Sequence, residues 1–119
     1  MRLDPWSDAQ TLAQRLAQPG AQLIVVIGAV AWCQKCRDYL PIFDQQAMRS
    51  SPNQNYVWLD VEEHAAFLGA YVPHDLPLRL QYEDGQLSTI KDPQGNSSFE
   101  NNEIPAAQIY QRLTAEDWA

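Results

Sequence analysis

Apolar residues at Ala9, Leu12, Ala13 and Leu16 recur at helical spacing, and Ser7 just ahead of them is a good N-cap for a first helix. Pro19-Gly20 supplies the stop, and Leu3 and Trp6 are expected to pack beneath the helix. Leu23-Ile24-Val25-Val26-Ile27 is rich in β-branched residues and lacks polar alternation, the pattern of a central strand covered on both faces. After Ala29-Val30-Ala31-Trp32 a second helix opens at Cys33 and runs to about Met48, burying Tyr39, Leu40, Phe43 and Ala47 and bending at Pro41. The polar stretch 50–55 is a loop. Tyr56 to Val61 is a second strand, followed by a short helix over Glu62 to Ala70 with Glu62 and Glu63 in its first turn, where the helix dipole favours acids. Pro73 and Pro77 bracket a rigid link. Leu78 to Tyr82 alternates as a strand, Glu83-Asp84-Gly85 turns, and Gln86 to Ile90 returns as the second arm of a hairpin. Residues 91–104 are turn formers and polar side chains, with Phe99 and Ile104 as the expected anchors. Pro105 suits the first turn of a last helix that buries Ile109, Tyr110, Leu113 and Trp118.

A parallel pair joined by a crossover helix, then an antiparallel hairpin, predicts an α/β fold: a central mixed sheet of about four strands with helices on both faces. The 119 residues are enough for one such domain, spanning 1–119, and too few for two. The net charge of −7 with only eight scattered Lys and Arg disfavours nucleic acid and anionic membrane surfaces as partners. The longest apolar run, Leu23 to Trp32, is about half of what a membrane-spanning helix needs. The opening MRLDPWSDAQ places two aspartates where a secretory signal would be apolar, so the expectation is a cytoplasmic protein.

Cysteine usage changes this picture most. Two cysteines make no disulfide scaffold, so catalysis or metal binding is the expected use. Two cysteines placed at random in a chain of this length would fall three apart only about once or twice in a hundred. Cys33 and Cys36 do so at the start of a helix that follows a buried strand, which sets the first sulfur at the exposed first turn and the second within bridging reach. Free backbone N–H groups and the helix dipole favour a thiolate at Cys33, and Lys35 and Arg37 add positive charge nearby. Cys33 is thus the candidate nucleophile, Cys36 the resolving thiol and Lys35 a tuning charge.

Trp32-Cys33-Gln34-Lys35-Cys36, Pro41 five residues further on, and Leu76-Pro77 ahead of a strand-turn-strand with Asp84-Gly85 resemble the thioredoxin family over roughly residues 7–90 and, more loosely, the last helix. The resemblance implies a thiol–disulfide oxidoreductase acting on disulfide-containing proteins, needing no metal or organic cofactor and supplied with electrons by a reductase or small thiols. It also implies a cis peptide bond before Pro77 that sets the Leu76 backbone beside Cys33, with Trp32, Leu76 and Pro77 shaping the substrate surface; an X-Pro bond is the inexpensive kind of cis bond, and a free backbone edge suits an extended substrate strand. The chain departs from the family at Gln34-Lys35, where typical thioredoxins have Gly-Pro, and at Ile27, where the family keeps a buried acid that moves protons for the resolving thiol. Asp60 at the end of the neighbouring strand is the nearest substitute, although an Asp there is more commonly a cap.

Two other readings compete. Cys33, Cys36, His64 and His74 have the ligand count of a tetrahedral zinc site, but the histidines are ten residues apart and nothing in the pattern draws them to the cysteines; a surface or interface role is expected for each. A binding or chaperone-like module could keep the fold and the cysteine pair with little redox turnover, using exposed Trp32 and the Leu76 edge to hold partners. Trp6, Trp58 and Trp118 are expected in packing roles.

Overall fold

The computed structural model describes residues 2–69, 71–73, 75–91 and 103–115. Its elements follow the expected order: α1 (Ala9–Leu16), β1 (Gln22–Gly28), α2 (Gln34–Met48), β2 (Gln54–Asp60), α3 (Ala65–Leu68), β3 (Leu78–Glu83), β4 (Gln86–Lys91) and α4 (Glu103–Leu113). The four strands form one mixed sheet in the order β2-β1-β3-β4. β1 runs parallel to β2 and antiparallel to β3, and β3 and β4 form the antiparallel hairpin. β1 is therefore central, as its unbroken apolar run requires: Leu23 to Ile27 are all buried.

Alternation along the strands divides the side chains between two faces. Ile24 and Val26 of β1 stand beside Tyr56 and Trp58 of β2, and Phe43 of α2 packs edge-on against both rings at centroid distances of 5.5 and 5.7 Å. On the other face, Val25, Leu80 and Ile90 align across β1, β3 and β4, and α4 closes over them. Tyr82 anchors α4: its ring lies 5.0 Å from that of Tyr110, and its hydroxyl donates to the Ala106 carbonyl at 2.6 Å. α1 and α3 also pack against α4, and α2 covers the opposite face of the sheet through Phe43.

One position on the α2 face admits only glycine. A Cβ on Gly28 would fall inside the Trp58 indole, so the large ring on β2 and the absent side chain on β1 are complementary halves of one packing solution.

Several expectations are corrected. Ser7 does not cap α1: the helix begins at Ala9 after Asp8, and the Asp4 carboxylate takes the Trp6 and Ser7 N–H groups in the preceding turn, both at 2.8 Å. The third helix is one turn rather than residues 62–70, because the Asp60 carboxylate captures the Glu62 and Glu63 N–H groups and holds them in a turn. Tyr39 and Leu40 are half-buried, the α2 core contacts coming from Cys36, Phe43 and Ala47. Ile104 is exposed at the start of α4 instead of anchoring the preceding loop. Its expected companion Phe99, the loop residues 92–102, Trp118 and His74 lie outside the described residues. Trp6 lies at the surface and packs edge-on against Phe67 at 4.7 Å.

Candidate active site

Cys33 is the N-cap of α2. Its backbone is extended while the next residue enters the helix, and its Sγ accepts the Cys36 N–H at 3.2 Å. The sulfur thus takes the place that a Ser or Asp oxygen fills at other helix starts, where unpaired N–H groups need an acceptor. The turn leading in is fixed by its own backbone: the Cys33 N–H donates to the Ala29 carbonyl at 2.9 Å. Arg37 ties it from the helix side, giving one guanidinium nitrogen to the Val30 carbonyl and the other to Gln34 Oε1, each at 2.8 Å.

Both cysteines are free thiols. Cys36 is fully buried, and burial pushes its thiol up to about 11, helped by the hydrogen bond from Cys36 to Cys33; the Ala29 backbone N–H pulls the other way. Under neutral conditions Cys36 therefore keeps its proton and hands a hydrogen bond to the outer sulfur. The two thiols are chemically unequal before any substrate arrives.

The Leu76–Pro77 peptide bond is cis, and the Leu76 carbonyl oxygen lies 4.0 Å from Cys33 Sγ. Trp32, Cys33, Gln34, Lys35, Pro73, Asp75 and Leu76 line an open cleft of about 400 Å³. Trp32 is 58% exposed at its mouth, whereas Leu76 is buried behind Cys33. Lys35 reaches across to Asp75 at 3.8 Å, an exposed ion pair that joins the cysteine turn to the loop before Pro77. Asp75 was not among the residues singled out from the sequence; only the proximity of its loop to the first turn of α2 gives it a place here.

Ile27 is fully buried and apolar, so no carboxylate stands at that position. Asp60 acts as a cap: Oδ1 accepts from Glu62 and Glu63, and Oδ2 accepts the Val30 N–H at 3.0 Å. His64 is not at the surface but buried, its Nδ1 accepting the Asp60 N–H at 2.8 Å. That nitrogen is unavailable to a metal, and among the described residues no three metal-ligating side chains converge.

No protein-family profile matches the chain, and no curated protein matches it by sequence. Solved structures do match. The thioredoxin of Fasciola hepatica overlays with a TM-score of 0.53 at 24% identity, covering 76% of this chain and 84% of that one. The thioredoxin of Plasmodium falciparum gives a TM-score of 0.48 at 23% identity, covering 62% of this chain and 58% of its own length. The strand order, the cis bond at Pro77 and the Fasciola overlay agree on one conclusion: this is a thioredoxin-like fold carrying a cysteine pair at the first turn of the helix that follows its central strand.

Proposed function

We propose that the protein is a thiol–disulfide oxidoreductase whose substrates are disulfides in other proteins. The observation that carries this reading is the inequality of the two thiols: Cys33, itself buried rather than exposed as expected, caps α2 at the floor of an open cleft and accepts the Cys36 N–H on its sulfur, while Cys36 is fully enclosed and kept protonated. Cys33, as thiolate, attacks a substrate disulfide along the line of the S–S bond. One sulfur joins Cys33 in a mixed disulfide and the other leaves as a thiolate that takes up a proton. Cys36 then gives up its proton and attacks Cys33 Sγ, forming the Cys33–Cys36 disulfide and releasing the second substrate thiol. Two electrons and two protons pass to the substrate. Small thiols or a reductase return them to the protein.

Trp32, Leu76 and Pro77 form the docking surface in this reading. The Leu76 backbone pairs with an extended substrate segment, and Trp32 offers an apolar face beside it. Lys35 adds a cation near both sulfurs, and its attraction slightly offsets the upward push on Cys36.

Replacing Cys33 with Ser is expected to abolish reduction of a protein disulfide such as that of insulin, while Cys36→Ser leaves a protein that accumulates substrate as a mixed disulfide on a non-reducing gel. Full activity in the Cys33→Ser protein would sink the proposal. A second reading, a partner-binding module with slow turnover, is favoured by the combination of Ile27 and a buried Cys36 thiol, which together leave the second step without a carboxylate at position 27. Stable complex formation by the dithiol form, without consumption of the disulfide, distinguishes it.

A further inference from the structure

His64 sits one turn beyond the end of β2, and every polar atom of the adjacent Asp60 is engaged. The Asp60 N–H donates to His64 Nδ1 at 2.8 Å, its carbonyl accepts the His64 N–H at 2.9 Å, and its carboxylate accepts from Val30, Glu62 and Glu63. Val30 in turn receives Arg37 on its carbonyl, three residues ahead of Cys33. A continuous chain of hydrogen bonds thus leads from the imidazole to the turn that presents the cysteines.

An imidazole nitrogen that accepts an N–H carries no proton, so this arrangement requires the neutral ring, with its proton on Nε2. Beside the ring is a second cavity of about 390 Å³, lined among others by Arg2, Asp4, Asp8, Asp60, Glu63 and His64. The charged groups around His64 are Arg2, Asp4 and Asp8 from the N-terminal segment, Asp60 at the end of β2 and Glu63 from the following turn. The charges of Asp4, Glu63 and Asp60 favour an imidazolium, and that of Arg2 opposes it.

We propose that His64 is an acid-sensitive latch on the cysteine turn: neutral, it holds the Asp60 N–H and with it the Val30 contact; protonated, it lets go of that N–H and pairs with the carboxylates of the cavity. The two states compete for the same ring. Protonation places a hydrogen on Nδ1, which then opposes the Asp60 N–H, and the imidazolium is drawn toward Asp4 and Glu63. Burial outweighs those carboxylates and holds His64 below its ordinary value of 6.5, so the latch is closed near neutrality and opens on the acid side. The inference stands on the hydrogen-bond chain and is independent of whether the cysteine pair turns over substrate.

The test is a ¹H–¹⁵N NMR titration of the dithiol protein from about pH 7.5 to about pH 4.5, beside the His64→Asn and Glu63→Gln variants. Asn presents an oxygen near the position of Nδ1 and does not titrate. In the wild type the Val30 and Asp60 amide signals are expected to move with the midpoint of the His64 ring, and the Val30 exchange protection to fall about fivefold, the equivalent of one net hydrogen bond. In His64→Asn that transition disappears. In Glu63→Gln, which removes an exposed carboxylate, the His64 and Val30 midpoints shift down together, an outcome that does not depend on how well the Asn variant folds. A Val30 amide that stays still while His64 titrates, or midpoints that separate in Glu63→Gln, would overturn the proposal.

Discussion

The step most exposed to measurement is the attack of Cys36 on the mixed disulfide. Burial holds this thiol near 11, against 9.0 for an ordinary cysteine. At pH 7 its thiolate fraction is then about 10⁻⁴, against about 10⁻² for the ordinary thiol, so the reactive form is roughly a hundredfold scarcer. Ile27 supplies no carboxylate to take the proton, so ionisation of the buried thiol itself limits the attacking form. The rate of resolution is therefore expected to climb about tenfold per pH unit without levelling below pH 9. The assay is a single turnover: load Cys33 with a chromophoric aromatic thiol as a mixed disulfide, then follow release of the chromophore by stopped flow between about pH 6 and pH 9. Loading Cys33 weakens the hydrogen bond that it accepts from the Cys36 thiol but leaves the larger cause, burial, in place. A rate that is already levelling off by about pH 9 would mean that Cys36 ionises at or below its ordinary 9.0, and the assignment of burial as the controlling cause would be wrong.

Restoring an acid at the same place tests the other half of that argument. Ile27→Asp should accelerate resolution at pH 7 and, by burying a carboxyl among apolar side chains, lower stability to urea by a few kcal/mol; unchanged resolution in a folded variant would remove the proton-transfer explanation. Gly28→Ala drives a methyl group into the Trp58 ring and is expected to cost about 1–3 kcal/mol in chemical denaturation, whereas Gly28→Ala combined with Trp58→Phe should recover part of it; a single variant as stable as the wild type would contradict the packing described. His64 also sets a pH dependence of stability. Because its folded-state value lies below 6.5, neither state is protonated above that pH and the group contributes no slope there; below it the unfolded chain binds the proton first, so stability falls as acid is added until the folded value is passed. Urea midpoints measured between about pH 7 and pH 5 should drop more in the wild type than in His64→Asn, and parallel curves would refute the assignment.

The chain determined by itself what depends on short-range pattern. The apolar run of β1 and the helical spacing of α1 were readable because local periodicity and burial coincide there. So were the hairpin around Gly85 (φ +81°) and the three-residue cysteine spacing at a helix start. Trp32 at the surface and the cis bond before Pro77 followed from the resemblance carried by those same motifs. Only the tertiary structure decided matters that hinge on which residues meet across the fold. Asp60 captures N–H groups on both the following turn and the loop after β1, and this competition shortened α3 and buried His64, where a lone histidine in a polar segment pointed to the surface. Asp75 gained its place opposite Lys35 from the docking of the loop before Pro77 onto the first turn of α2, forty residues away in sequence. The placement of α4 beside α1 and α3 was set by Tyr82 and Tyr110, whose apolar rings alone do not say which face of the sheet they will cover. Local sequence fixes backbone choices of a few residues; the partners of a polar side chain are settled by the packing that brings distant donors and acceptors within reach.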